Sequence, residues 1–510
     1  MIAHTFTATT RSLQNLLVHI EVDISKTGLP GFTLVGLADT AVKESKERIA
    51  AALRNCGYAH IRRRITINMA PANVRKNGSH YDLPIALGII HAGISSFARK
   101  LTDCIIMGEL ALDGALRPVR GVLPALLSAR RAGFATAIIP HGNRFEGSLV
   151  QDMHVYAFGH LRQVTAFLNN ARDILPVQPL HLADLPTTRH TADDISDIKG
   201  QLMAKRALMI ACAGRHNLLF YGPPGTGKSM LARRAASLLP HMNFAETLDT
   251  LSVYSIHQRL DENRIQNMLL RPFRAPHHTV TETGLIGGGT PPEPGEISLA
   301  HNGILFLDEL PEFKQKVLNA LRQPLEDHMV AIRRSKYAVT FPARFMLIAA
   351  MNPCPCGFYG SLRKECTCTM SQIRRYRTRL SGPLLDRIDL FVEVGELSDE
   401  EIVNKNAKGL TSQDMRRIVL AAYNAQRKRF RGTGFSFNAD IPDKSLPSYC
   451  PVERAAADLL KSVIRQLGLS ARAGVKLLKV ARTIADFAGS AKLLAPHIAE
   501  ASSFFRFLDY

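Results

Sequence analysis

An apolar strand, His216–Tyr221, runs straight into Gly222-Pro223-Pro224-Gly225-Thr226-Gly227-Lys228-Ser229 and then into the helical stretch Met230–Leu239. No other feature restricts the fold of this chain so far. The G-x-x-x-x-G-K-S spacing makes a loop whose backbone N–H groups close on phosphates. The helix that follows adds the positive end of its dipole. Lys228 is placed to reach the β- and γ-phosphates of a nucleotide, Ser229 to hold Mg²⁺, and Met230 continues the loop into the helix. Short apolar strands then alternate with helical patterns to about Val394, the signature of a mostly parallel α/β sheet with helices on both faces.

Two further strands end in residues suited to that site. Gly303–Leu307 ends in Asp308-Glu309, where Asp308 is placed to assist the metal and Glu309 to orient and polarise a water. A bare acidic pair at a strand end is the plainer alternative. Phe345–Ala350 ends at Met351-Asn352-Pro353, where Asn352 could bridge that water and the γ-phosphate, or simply form a turn before proline.

A chain of 510 residues holds about three domains at roughly 150 residues each. The proline-rich stretch Ile174–Thr191 reads as a linker. Before it, strands at Leu17–Ile24, Arg64–Met69 and Cys104–Met107 and helices at Ala41–Arg54 and Val122–Ala132 predict an α+β domain. After about Asp399 the pattern is wholly helical. The expected division is 1–170, a linker at 171–192, an α/β core at 193–396 and a helical domain at 397–510. The start of the chain has no basic segment followed by an apolar core, and its most apolar stretch, Leu83–Ile90, falls short of a membrane span. The expectation is a cytoplasmic protein with no membrane partner and with reduced cysteines.

Four of the eight cysteines are clustered. Cys354-x-Cys356 and Cys366-x-Cys368 lie nine residues apart, directly after the Asn352 strand. In a reducing compartment such a set suits a tetrahedral zinc site; four free thiols in an ordered loop is the alternative. The chain also carries a formal net charge of +20, which favours a polyanionic partner, nucleic acid first. Basic residues concentrate at Arg333, Arg334 and Lys336, between the two arms of an expected hairpin. They recur at Arg374, Arg375, Arg377 and Arg379, and at Arg427, Lys428, Arg429 and Arg431. In the last group Phe430, Phe435 and Phe437 are interleaved and could stack on bases.

The order of phosphate loop, Asp-Glu strand, Asn strand end and Ser381-Gly382-Pro383-Leu384-Leu385-Asp386-Arg387-Ile388-Asp389 resembles AAA+ ATPases of the MCM and magnesium-chelatase branch. More narrowly, several long runs are similar to the ComM/YifB magnesium chelatase-like family. They are Gly28-Leu29-Pro30-Gly31-Phe32 with Val35-Gly36-Leu37, Arg271 to Thr279 (RPFRAPHHT), Pro294 to His301 (PGEISLAH) and Asn352 to Gly357 (NPCPCG). The resemblance implies ATP and Mg²⁺ as cofactors and a homo-oligomeric ring, a hexamer in expectation. It also implies a helicase that promotes branch migration on single-stranded and branched DNA during homologous recombination in natural transformation, with a recombinase as partner. By the same resemblance Arg387 is the arginine finger acting in a neighbouring subunit, Arg472 occupies the sensor-2 position, and the 333–336 hairpin touches DNA in the pore. A motor subunit of a metal-chelatase-type complex is the alternative. Residues 1–170 are similar to the Lon-type protease fold, yet His80 stands where those enzymes place the nucleophilic serine and Leu123 where they place the lysine. Ser79 is one position off. The implied domain is a Lon-like scaffold without the Ser–Lys dyad.

Overall fold

The strands at the start of the chain alternate buried and partly exposed residues, the period of a pleated sheet. In a computed structural model they join one seven-stranded sheet. The structure describes residues 2–10, 12–13, 15–25, 29–58, 63–171, 173–180, 194–260, 269–334, 337–398 and 409–505. The strands are β1 (Ile2–Ala8), β2 (Leu17–Ser25), β3 (Gly31–Val35), β4 (Arg64–Ala70), β5 (Cys104–Ile106), β6 (Thr136–Pro140) and β7 (His154–Phe158), in the order β3-β4-β2-β1-β5-β6-β7. β1, β2 and β4 pair antiparallel, whereas β5, β6 and β7 run parallel beyond β1. The main helices here are α1 (Thr40–Asn55), α2 (Asp82–Gly93) and α3 (Val122–Arg131). The apolar run Leu83–Ile90 forms most of α2, buried from Asp82 to Ile90, so it is a core helix with no polar face.

The second sheet has five strands, all parallel. In chain order the elements are α4 (Leu202–Gly214), β8 (Leu218–Tyr221), α5 (Lys228–Leu238), α6 (Phe244–His257), β9 (Phe273–Arg274) and β10 (Ile304–Leu307). There follow the hairpin β11 (Met329–Arg334) and β12 (Tyr337–Pro342), then β13 (Met346–Met351), α7 (Met370–Arg377) and β14 (Leu390–Glu393). The sheet order is β9-β10-β13-β8-β14. Its central strands, β10, β13 and β8, are buried on both faces. Leu218 and Phe220 enter one core, and Leu219 between them enters the opposite one with Leu305 and Leu307. A sheet covered on both faces gives continuous apolar runs rather than alternation, as the sequence shows here. Helices α8 (Ser412–Arg429), α9 (Arg454–Gln466), α10 (Ala471–Phe487) and α11 (Ala495–Ser503) complete the chain, and Met415, Leu477 and Ile498 share the core of Leu218 and Phe220.

Of the expected linker, residues 172 and 181–192 lie outside the described residues. The described part, 173–180, forms no helix or strand. It is tied to the first sheet through Val177 N–H to Val155 O (2.7 Å) and Leu180 N–H to Ser148 O (2.8 Å). Among the described residues, no helix is long and apolar enough to cross a membrane.

The two sheets are joined by shared packing. Leu248 and Leu251 of α6 sit in the core that α3 makes with β5 and β6. Within this seam Glu146 is fully buried. It accepts hydrogen bonds from Leu123 N–H (2.8 Å), Asn143 Nδ2 (2.9 Å) and, across the seam, Ser255 Oγ of α6 (2.6 Å). Burial pushes its carboxyl up to about 7, against the lowering effect of those donors. An acid raised in the folded state binds protons that the unfolded chain has already released. Stability should therefore be greatest below the ordinary carboxyl range, fall as pH rises toward 7 and level off above it, by on the order of 3 kcal/mol at most. In denaturant melts across this range, the difference between wild type and Glu146→Gln should carry that slope; parallel curves for the two proteins would exclude it.

Candidate nucleotide site

Because β8, β10 and β13 are parallel neighbours, their C-terminal ends deliver the phosphate loop, Asp308-Glu309 and Asn352 to one edge of the sheet. Gly222 has φ +153°, and a Cβ there would lie 2.2 Å from Val394 O, so only glycine lets the loop leave β8 at this point. Gly227 opens α5 in the left-handed region, and the N-terminus of α5 then faces the loop. Lys228 is mostly buried and folds back on the loop, donating from Nζ to Gly222 O (2.7 Å) and Pro223 O (2.6 Å). Burial pushes its ammonium down to about 8, with the Asp308 charge pulling the other way. Ser229 Oγ donates to Asp308 Oδ2 at 2.5 Å, which brings together the hydroxyl and the carboxylate suited to Mg²⁺. Thr226 Oγ1 closes the loop on Pro223 O, and Met230 is exposed beside it.

Glu309 is exposed and held in the left-handed region at φ +51°, with its N–H on Asp308 Oδ1 (3.0 Å). Its carboxylate stands 3.4 Å from His278 Nδ1. His278 packs against the ring of His277 (4.0 Å) and edge-on to Phe313. His278 was visible in the sequence only as part of the RPFRAPHHT run. Its contact with Glu309 spans thirty-one residues, and no local pattern reports it.

The cysteine cluster forms a wall of the same site. The Sγ atoms of Cys354, Cys356 and Cys366 lie 3.4–3.7 Å apart, and Cys368 Sγ accepts from Cys356 N–H at 3.4 Å. One ligand atom from each of the four lies within 4.8 Å of the others. Four thiolates about 2.3 Å from one ion stand roughly this far apart, so the donor set fits zinc. The backbone N–H of Phe358 is the main cause that draws the Cys356 thiol down to about 5, in the direction of the metal-binding thiolate. Gly357 (φ +87°) presses this knuckle on the phosphate loop: a Cβ there would lie 2.8 Å from Pro224 Cδ.

Arg387 and Arg472 are at the other edge of the sheet. Asn217, just before β8, receives the backbone here: its Nδ2 donates to Arg387 O (2.8 Å), and its O accepts from Asp389 N–H (2.9 Å). Asn217 and Gly222 are five residues apart along an extended strand, about 15 Å, more than an arginine side chain spans. The two guanidinium groups instead share one carboxylate, Arg387 Nη2 on Glu326 Oε2 (2.5 Å) and Arg472 Nη2 on Glu326 Oε1 (2.6 Å). This pairing, first Arg387 and then Arg472, holds the Glu326 carboxyl below its ordinary range. The three line a cavity of about 780 Å³ with Arg215, Asp389 and Lys476. Lys476 is bound to Asp389 (3.3 Å).

The basic groups fare differently. Arg333 is exposed on β11; the backbone of Arg334 pairs with that of Tyr337 to close the hairpin, and Lys336 lies outside the described residues. Arg377 is buried, donating to Pro353 O and lying over the Tyr359 ring, and Arg379 pairs with Glu312 (3.0 Å). The expectation that Phe430, Phe435 and Phe437 stack on bases is corrected. Phe430 and Phe437 are buried, and Phe430, Phe435 and Tyr449 pack edge-to-face in the core, because their rings serve the helical domain's interior. Arg429 beside them is committed to the buried Asp486. In the first domain, Ser79 Oγ donates to Glu109, His80 is buried with Nε2 on Ala8 O (3.0 Å), and Leu123 is in the core.

Comparison with known proteins gives the same pattern along the whole chain. A family model described as "Magnesium chelatase, subunit ChlI" matches residues 194–402. Models described as "Subunit ChlI of Mg-chelatase" and "Magnesium chelatase, subunit ChlI C-terminal" match 20–143 and 409–505. The chain is 45% identical to the Competence protein ComM of Haemophilus influenzae over 501 residues, covering 98% of this chain and 96% of that protein. It is 42% identical to the uncharacterized protein YifB of Escherichia coli over 488 residues, 96% of this chain and 94% of that one. A stretch of 192 residues, 33% of this chain and 34% of the other, is 28% identical to Lon protease 2 of Bacillus subtilis.

Two outcomes follow from this geometry. His278→Ala should lower kcat for ATP and leave KM nearly unchanged, and it should add little to Glu309→Gln, which alone should cost about a hundredfold or more. Independent, multiplying losses would show that the two residues do not act together. Elemental analysis should find one zinc per chain, absent from a Cys354→Ser, Cys366→Ser double variant. Because the knuckle leans on Pro224, that variant should both melt earlier and bind ATP more weakly. A metal-free protein with normal ATP affinity would remove zinc from the site.

Proposed function

The chain belongs to the ComM/YifB family of magnesium chelatase-like AAA+ ATPases, and from that premise we propose that it is a ring-forming, ATP-driven DNA motor. Its task in this reading is branch migration on single-stranded and branched DNA during recombination in natural transformation. ATP and Mg²⁺ are its cofactors through the family. The competence role rests on the name of the Haemophilus relative. The observation that carries the DNA reading is the β11–β12 hairpin, a two-stranded ribbon outside the five-stranded sheet with Arg333 exposed on it, on a chain of net charge +20. Phosphate contacts from such a hairpin grip a backbone without reading sequence, as a translocating motor requires.

The division of labour proposed for the site follows its layout. The phosphate loop and Lys228 hold the triphosphate, Ser229 and Asp308 hold Mg²⁺, Glu309 activates the water and Asn352 senses the γ-phosphate. Arg387 and Arg472 stand at the far edge of the sheet, so each serves a neighbouring copy in a head-to-tail assembly, and such interfaces close into rings. A hexamer is the proposed ring. The domain assignment is a Lon-like scaffold at 1–170 without a Ser–Lys dyad, the ATPase core at 193–396 and the helical domain at 397–510. The descriptions of the matching family models favour one second reading, a motor subunit of a metal-chelatase-type complex.

DNA separates the two readings. ATP hydrolysis by the motor should rise with single-stranded or branched DNA, whereas a chelatase motor should not respond. An Arg333→Ala, Arg334→Ala, Lys336→Ala triple variant should lose this response and branch migration together. Its plot of log affinity against log salt should flatten by about 0.7 per lost contact on single strands. An unchanged salt slope with normal branch migration would show the hairpin to be a solvated surface and would sink the DNA reading of it.

A further inference from the structure

The first sheet brings together a second group of metal-binding side chains, separate from the nucleotide site and the four cysteines. In the antiparallel register of β1 and β2, His4 lies opposite Glu21 and Phe6 opposite His19. Alternation along each strand puts all four side chains on one face. There His4 Nδ1 stands 3.0 Å from His19 Nε2, and Glu21 Oε1 stands 3.9 Å from His19 Nδ1. One ligand atom from each of His4, His19 and Glu21 lies within 4.8 Å of the other two.

The neighbours fix these groups in place. The Phe6 ring stacks on His19 at 4.7 Å and 13° and is itself packed against Phe134. Asn68, opposite Glu21 on β4, donates from Nδ2 to Glu21 Oε2 at 2.7 Å, which anchors one carboxylate oxygen and leaves the other toward the histidines. Supporting contacts of this kind orient metal ligands.

We propose that His4, His19 and Glu21 bind a divalent first-row transition ion of the zinc, nickel or copper type. Two imidazole nitrogens at right angles around one ion, each about 2.1 Å from it, stand about 3.0 Å apart, the separation found here. Two imidazoles and a carboxylate suit such ions, whereas Mg²⁺ and Ca²⁺ prefer oxygen donors alone, so the site does not compete for the metal of the nucleotide. The partly exposed face leaves the remaining positions to water. The ion would cross-link β1 to β2 where the sheet changes from antiparallel to parallel pairing. Across that seam β1 meets β5 through a single residue pair, Phe6 with Ile105.

The test is calorimetric titration of Ni²⁺ into tag-free full-length protein already carrying one equivalent of zinc. Wild type should bind one further Ni²⁺ per chain, and His154→Ala, at an exposed histidine elsewhere, should do the same. His4→Ala and His19→Ala should bind it at least about tenfold more weakly, and Glu21→Gln should fall between. His4→Gln keeps a hydrogen-bonding side chain and should lose Ni²⁺ while keeping the metal-free melting temperature, which separates lost metal from lost fold. With Cu²⁺, electron paramagnetic resonance should show two coupled nitrogens in wild type and one in each histidine variant. Wild type that binds Ni²⁺ no tighter than a folded His4→Ala, His19→Ala double variant would reduce the cluster to a hydrogen-bonded pair and overturn the proposal.

Discussion

The hydrogen bond from Ser229 to Asp308 is the constraint around which the ATPase core is arranged. The two residues are seventy-nine positions apart, yet their oxygens stand 2.5 Å from each other. The strand before the phosphate loop and the strand before Asp308 run parallel with β13 between them, ending opposite Met351 and Ala349, which brings the two oxygens together. Parallel strands need crossovers, crossovers need helices on both faces, and the strands must then be apolar throughout. A hydroxyl and a carboxylate that meet from so far apart in the chain thus go with this sheet order and with the dryness of both its faces.

The same sheet separates the two halves of the chemistry. The groups proposed to hold phosphate and metal gather at its C-terminal edge, while Arg387 and Arg472 are tethered at its N-terminal edge through Asn217 and Glu326. Two arginines on one carboxylate are held together despite their like charge because Glu326 attracts both, one through each oxygen. Glu326 lies on a short helix beside the β11–β12 hairpin. The arginine pair and the proposed DNA contact therefore hang from one short stretch of chain.

Legibility in the sequence followed locality. The phosphate loop, the Asp-Glu pair and the CxC pairs are contiguous, so their chemistry is written where it acts. β2, β4, β5, α1 and α3 could be read from the sequence, whereas the edge strand β3 buries no residue fully and β6 buries four in a row, so neither shows the alternation of a half-buried strand. His278 and Glu326 escaped for another reason: each matters through a partner that only the folded chain supplies. Phe430 and Phe437 show the converse error. Aromatic residues among arginines look the same in sequence whether they face bases or a helical core, and Arg429 settles the difference by pairing with the buried Asp486. The four cysteines were legible as a cluster, but their pressure on Pro224 through Gly357 was not.

The seam between the two sheets has a mechanical meaning. Leu248 and Leu251 belong to α6, the second helix after the phosphate loop, and their side chains lie inside the core of the first domain. Glu146 adds a buried bond to Ser255 on the same helix. Sliding at such a surface would expose leucines and strand a buried acid, so the seam cannot serve as a joint. Any rotation of α6 would therefore carry the first domain with it as one body, with a displacement that grows with distance from the phosphate loop.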